Sequence, residues 1–181
     1  MNHKIYIISA VDKNFGIGIK NALPWSFKSD MKHFKEITST TKDPNKRNAV
    51  LMGRKTWESL PEKYRPLPDR LNIILSRSQT KNLNEEIPKD PNPTALVSSF
   101  IEAFSILNDD IENLFIIGGE GVYKQAISLE EIDGIYLTEI ENEYEVDTFF
   151  PKIPENFQKT NLSKTEENGV VLNFNYYLKK Q

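Results

Sequence analysis

Cysteine is missing from the 181 residues, and with it go disulfides, thiolate chemistry and cysteine metal sites. Histidine is scarce. His3 and His33 are the only two, too separated for a histidine metal centre or a Ser-His-Asp triad, so no metal is expected. A net charge of -3, with both signs well represented, points to no nucleic-acid partner and no anionic membrane surface. The apolar run near the N-terminus is short and ends at Asp12. Neither a signal peptide nor a membrane span is therefore expected, and the cytoplasm is the default compartment. Internal repeats and low-complexity segments are absent as well. What is left, with 38% hydrophobic residues, is ordinary for one soluble domain over residues 1–181.

Lys4 to Val11 is apolar at nearly every position and rich in isoleucine, the pattern of a strand buried on both faces in a parallel or mixed sheet. Residues 48–52, 71–75, 94–97, 114–117 and 132–140 read as further strands. Ser99 is a good N-cap for a helix through Leu107, with Phe100, Ala103, Phe104 and Leu107 on one face. Residues 79–93 are polar and proline-dotted, and read as a long surface loop. Two strands end the chain. Asn168-Gly169 signals a type I′ hairpin before 170–178, which alternates with Val170, Leu172, Phe174, Tyr176 and Leu178 on one side. The expected fold is α/β: a mixed, mostly parallel central sheet flanked by helices, with a C-terminal antiparallel hairpin.

The stretch 16–34, GIGIKNALPWSFKSDMKHF, is the part the rest serves. A glycine loop passes a rigid Leu23-Pro24-Trp25 corner and enters a helix with Phe27, Met31, Phe34 and Thr38 along one stripe. Asp30 falls at the edge of that stripe. A first-turn acid suits a helix start for its own sake; an acid turned toward an apolar side also needs a partner, because an unpaired buried charge is costly. Lys28 and Lys32 lie on other faces, so a ligand is a candidate. Gly16 and Gly18 allow close backbone approach to a ligand or serve as plain loop glycines. Asn21 stands where a third glycine would complete a dinucleotide fingerprint, so that motif fails.

Three places suit phosphate. Gly53-Arg54-Lys55-Thr56 follows a strand and opens a helix, without the full pattern of an NTPase loop. Ser76-Arg77-Ser78 lies off the carboxyl end of another strand. Gly118-Gly119-Glu120-Gly121-Val122 joins a strand to a helix, where paired glycines turn N–H groups outward or simply make a tight turn. Arg70 closes the stiff loop 61–70; it either forks onto a carboxylate or stays an exposed charge.

Together GIGIKNALPW, Asp30, MGRKTWESLP, PLPDR, ILSRS, IIGGEGVY, the strand with Thr138, and DTFFP resemble the dihydrofolate reductase family over nearly the whole chain. The resemblance implies NADPH-dependent reduction of 7,8-dihydrofolate to tetrahydrofolate, by hydride transfer to C6 and protonation of N5. It implies antifolate inhibitors as further ligands; a monomer is assumed. Asp30 and Thr138 would hold the pterin, with Trp25 and Leu23 in the catalytic lid. Ile8, Ser9, Ala10, Phe34, Ile117 and Tyr123 would line the pterin slot, and Met31, Ser59, Leu60 and Leu67 the benzoyl passage. Arg70 would grip the glutamate tail. Cofactor contacts would come from Ala10, Ile17, Gly18, Arg54, Lys55 and Thr56. Others would come from Ser76, Arg77, Ser78, Gly118, Gly119, Glu120, Gly121 and Val122, with a cis Gly118–Gly119 bond. Ser98 stands where many eukaryotic relatives place an arginine, so NADPH preference would rest mainly on Arg77. A same-fold reductase of another heterocycle, or a folate binder without turnover, remain the rival readings.

Overall fold

The computed structural model describes residues 3–77 and 92–180; Ser78 and most of the loop expected at 79–93 lie outside them. Among the described residues ten strands and four α-helices follow in order, with a short 3-10 turn at Glu62–Tyr64 between α2 and β4. They are β1 (Lys4–Val11), β2 (Gly16–Gly18), α1 (Lys28–Ser39), β3 (Arg47–Gly53), α2 (Arg54–Ser59), β4 (Arg70–Leu75) and β5 (Thr94–Val97). Then come α3 (Phe100–Ser105), β6 (Ile111–Gly118), α4 (Glu120–Ala126), β7 (Ile132–Ile140), β8 (Thr148–Phe149), β9 (Phe157–Glu167) and β10 (Val170–Lys179).

Eight strands make one sheet in the order β5-β4-β3-β6-β1-β7-β10-β9. Every neighbour pair from β5 to β7 is parallel, and β10 and β9 close the sheet antiparallel. The expected mixed sheet and terminal hairpin are both present. The isoleucine runs explain the centre: a strand covered on both faces has no polar side to show. One face packs Ile5, Ile7, Leu51, Ile73, Leu114, Ile116 and Ile135 with residues of α3 and α4. The other packs Ile8, Val50, Met52 and Phe115 against Phe34 and Ile37 of α1 and Trp57 of α2.

Two details differ from the pattern. The alternation of β10 breaks where β9 carries an extra residue: pairing steps from Phe174↔Ser163 to Asn175↔Asn161. Asn175 is buried there, and Leu178 at the strand's end is 52% exposed. The helix after Ser99 stops at Ser105, but its cap is as expected, the Ser99 hydroxyl accepting from Glu102 N at 3.1 Å. Asn168 (φ 54) and Gly169 (φ 76) make the hairpin turn. No helix among the described residues is long and apolar enough to cross a membrane.

Candidate active site

Helix α1 enters from the Pro-Trp corner and lies over β3, β1 and β7. The only residues it fully buries are polar: Asp30 and Thr38. Asp30 is 8% exposed. Burial raises its pKa above the usual carboxylate value, the Thr138 hydroxyl offers a hydrogen bond that opposes the rise, and Glu167 adds to it. Thr138 belongs to β7, in register with Ala10 of β1. The sequence leaves Asp30 without a protein partner; the sheet supplies a hydroxyl but no counter-charge. Met31, expected on the same stripe, lies at its outer edge. It is 53% exposed, because the stripe's inner line runs through Asp30, Phe34, Ile37 and Thr38, and Met31 stands at the rim.

The wall below is apolar. Ile8 and Leu67 are buried in one cluster with Phe34, Leu60 and Ile117 packed on it. Ser59 is exposed and hydrogen-bonds only within its own turn, to Thr56 O at 2.7 Å. At the far end Arg70 is 2% exposed, not a loop charge. Its Nη1 donates to Thr38 Oγ1 at 2.6 Å and its Nε to Pro68 O at 2.8 Å, with Phe34's ring 5.9 Å below. Thr38 in turn donates to Phe34 O at 2.7 Å. The fork is thus oriented on one side, and burial lowers the guanidinium's pKa without removing its charge. Arg70 has no carboxylate in ion-pair range among the described residues. A buried cation so held suits an incoming anion.

Tyr123 of α4 donates its hydroxyl to Ile8 O at 2.8 Å. Burial pushes the phenol's pKa upward, Ser9 pulls it down, and Asp30's charge raises it further. It therefore stays neutral and fixes the β1 end beside Ser9 and Ala10. Trp25 is 8% exposed and rests on Tyr144, ring to ring 5.2 Å. Its Nε1 is the one buried side-chain N or O without a hydrogen-bond partner among the described residues. Leu23, at the same corner, is 55% exposed.

The second seat runs across the carboxyl ends of β4, β3 and β6. The Gly118–Gly119 peptide is cis, as expected, and Gly118 has φ +120. A Cβ at Gly118 would press on Tyr123's hydroxyl at 3.2 Å, and one at Gly119 on Thr56 Oγ1 at 3.1 Å, whereas Gly121 meets nothing within 4 Å. The result is an open strip of backbone, flanked by the exposed cations Arg54, Lys55 and Arg77. Ser76, buried beside Arg77, donates its N–H to Val97 O at 2.8 Å and so ties the rim to β5. Val122 packs under Gly53. Glu120 turns to Lys124 at 2.9 Å and accepts from Phe149 N at 3.4 Å. Strip, cations and length suit an extended anionic dinucleotide.

The loop 16–25 is tied down by its own chain. A Cβ at Gly16 would lie 2.6 Å from Val146, and one at Gly18 2.9 Å from Thr148. These glycines therefore answer a close approach to the segment 146–149, which β2 and β8 complete by pairing. Asp147 N and Thr148 Oγ1 both donate to Gly18 O, at 2.9 and 3.0 Å, and Asp147 Oδ2 accepts from Lys20 N at 2.9 Å. At the loop's root Asp12, 2% exposed, accepts from Asn14 N, Gly16 N and Tyr144 N. Ile17 packs partly buried on the main core. Sequence reasoning missed the roles of Asp12 and Asp147 and the bond between Thr38 and Arg70; the only signal for the latch was the DTFFP run itself.

The family model for dihydrofolate reductase matches residues 4–179. A dihydrofolate reductase of Drosophila melanogaster is 42% identical over 176 residues, covering 93% of each chain. One of Aedes albopictus is 40% identical over 187 residues, covering 97% of each. A bifunctional dihydrofolate reductase-thymidylate synthase of Daucus carota is 42% identical over 154 residues, 82% of this chain and 28% of its own.

Proposed function

The chain belongs to the dihydrofolate reductase family, and from that premise we propose how its cleft works. It is an oxidoreductase that reduces dihydrofolate to tetrahydrofolate with a nicotinamide cofactor. The cofactor we assign is NADPH, which when bound supplies the hydride that C6 of the pterin receives. The observation that carries the reading is the pairing, in one cleft, of a buried acid and a buried arginine, neither of which has an opposite charge in ion-pair range among the described residues. One molecule with a donor-rich ring and an anionic tail satisfies both.

Asp30 accepts from the pterin's N3 and 2-amino group, with Thr138 at its side. Its negative charge favours the protonated pterin, and water delivers the proton to N5. The unpartnered Trp25 Nε1 offers a donor to such a water. Phe34, Ile8, Ile117 and Tyr123 hold the ring flat, Leu60, Leu67 and Met31 border the benzoyl group, and Arg70 forks onto the tail carboxylate. Loop 16–25, with Leu23 at its corner, covers the reacting atoms and keeps bulk water out. Arg54, Lys55 and Thr56 face the phosphates from one side and Gly119 to Val122 from the other. Arg77, off the carboxyl end of β4, takes the 2′-phosphate.

The enzyme works as a monomer. A protein without cysteine suits the reducing cytoplasm, and a cleft shaped for a pterin admits antifolates. We read residues 1–181 as one working unit. The test is steady-state reduction of dihydrofolate with NADPH and with NADH. NADPH should be preferred by at least about tenfold in kcat/KM, the worth of roughly one charge-assisted contact. Arg77→Ala should narrow that ratio mainly through the KM for NADPH. Equal use of both cofactors by the wild type would overturn the assignment.

A further inference from the structure

Helix α1 lacks a cap of its own. Phe27 holds the N-cap position in an extended conformation and has no side chain able to accept from the helix's free N–H groups. The acceptor arrives from 138 residues away. Glu167, the last residue of β9 beside the Asn168-Gly169 turn, accepts from Lys28 N through Oε1 at 2.8 Å. Through Oε2 it accepts from Ser29 N at 2.9 Å and from Ser29 Oγ at 2.6 Å. A carboxylate on the first-turn N–H groups is also where the helix dipole favours negative charge. The dock is reinforced by packing: Phe27 and Trp25 share a buried cluster with Leu172 and Phe174 of β10, and His33 lies 4.3 Å from Phe174 ring to ring. The next residue after Ser29 is Asp30.

We infer that Glu167 is a positioning residue for the reaction: a helix cap supplied by the C-terminal hairpin, which sets where Asp30 stands and keeps a second negative charge behind it. The inference rests on the role proposed for Asp30. The groups facing Asp30 can be named. They are the Thr138 hydroxyl from β7, the Tyr123 phenol from α4, and Glu167 from the hairpin. On α1 itself are His33, whose pKa is lowered by burial, and Lys28 and Lys32, both exposed. Tyr123 is neutral. Glu167 is held ionised by the three hydrogen bonds from Ser29 and Lys28. Among the groups set against Asp30 from other elements, it is the one that is charged. A negative neighbour makes the site hold its proton to higher pH, which a reaction consuming a proton requires.

The test is the pH profile of single-turnover reduction, at saturating NADPH and dihydrofolate, for wild type, Glu167→Gln, Glu167→Asp and Asp30→Asn. Glu167→Gln keeps a neutral acceptor for the helix but removes the charge. Its alkaline limb should move to lower pH, so that at the wild type's midpoint it runs below half of its own maximum. Glu167→Asp keeps the charge and should bring the limb back toward the wild-type position. Circular dichroism and NADPH affinity should be unchanged in both, which separates this from loss of fold. An unmoved limb in Glu167→Gln, with Asp30→Asn crippled, overturns the role of Glu167 alone. Full activity in Asp30→Asn overturns the reading beneath it.

Discussion

Replacing Asp30 by Asn should lower the rate of dihydrofolate reduction at neutral pH by about two to three orders of magnitude, the usual worth of a positioned acid-base group. NADPH affinity should stay within about twofold, since the cofactor seat lies on other elements and distant sites act independently. The amide keeps the volume and the Thr138 contact, but it cannot carry the charge that favours the protonated pterin. It also turns an N–H toward a ring edge that itself donates. Stability should move the other way. Burial raises the pKa of Asp30 above its unfolded value, so the folded form holds this proton more tightly than the unfolded chain does. The acid is then harmless below its unfolded pKa and costs stability as pH rises through its folded pKa. The ligand-free Asn variant should therefore melt higher than wild type near neutral pH, and the gap should close in acid. A thermal melt at two pH values, beside the turnover assay, checks both halves.

Arg70→Leu should raise the KM for dihydrofolate by about ten- to a hundredfold, the loss of a charged hydrogen-bonded contact. kcat should change little, because the tail is held far from the reacting carbon and binds substrate and transition state alike. A pterin substrate without the glutamate tail should be reduced equally by variant and wild type. The fold should survive. Leucine removes a buried cation that has no carboxylate in ion-pair range among the described residues, and Thr38 retains its bond to Phe34 O. Comparison of the two substrates decides the matter: an equal loss with both would mean that Arg70 supports the cleft without reading the tail.

Much of this architecture was legible before any coordinates. The bounds of β1, β5 and β7 agree with the strands read from the sequence, most plainly in β1, a central strand whose apolar run is nearly unbroken. Asp30 stood out as a carboxylate on an apolar stripe, and the hairpin turn showed in Asn168-Gly169. The misses share one cause. Glu167, Asp12 and Asp147 are acids in or beside turns, where a solvated charge is the ordinary expectation. Their work is done across the fold: Glu167 meets Ser29, Asp12 meets Tyr144, and Asp147 meets Lys20. Nothing local marks such contacts. Helical spacing placed Met31 on the stripe but does not tell which of the stripe's edges faces out, and Met31 stands exposed at the rim.

Hydride should pass directly between the two seats of one cleft. The most direct measurement is a single turnover with NADPH deuterated on the transferred C4 position, followed by mass spectrometry and proton resonance of the tetrahydrofolate formed. The prediction is one deuterium per product molecule, at C6, with N5 protonated from solvent. Oxidation of NADPH that leaves C6 unlabelled, or leaves dihydrofolate unconsumed, would contradict it.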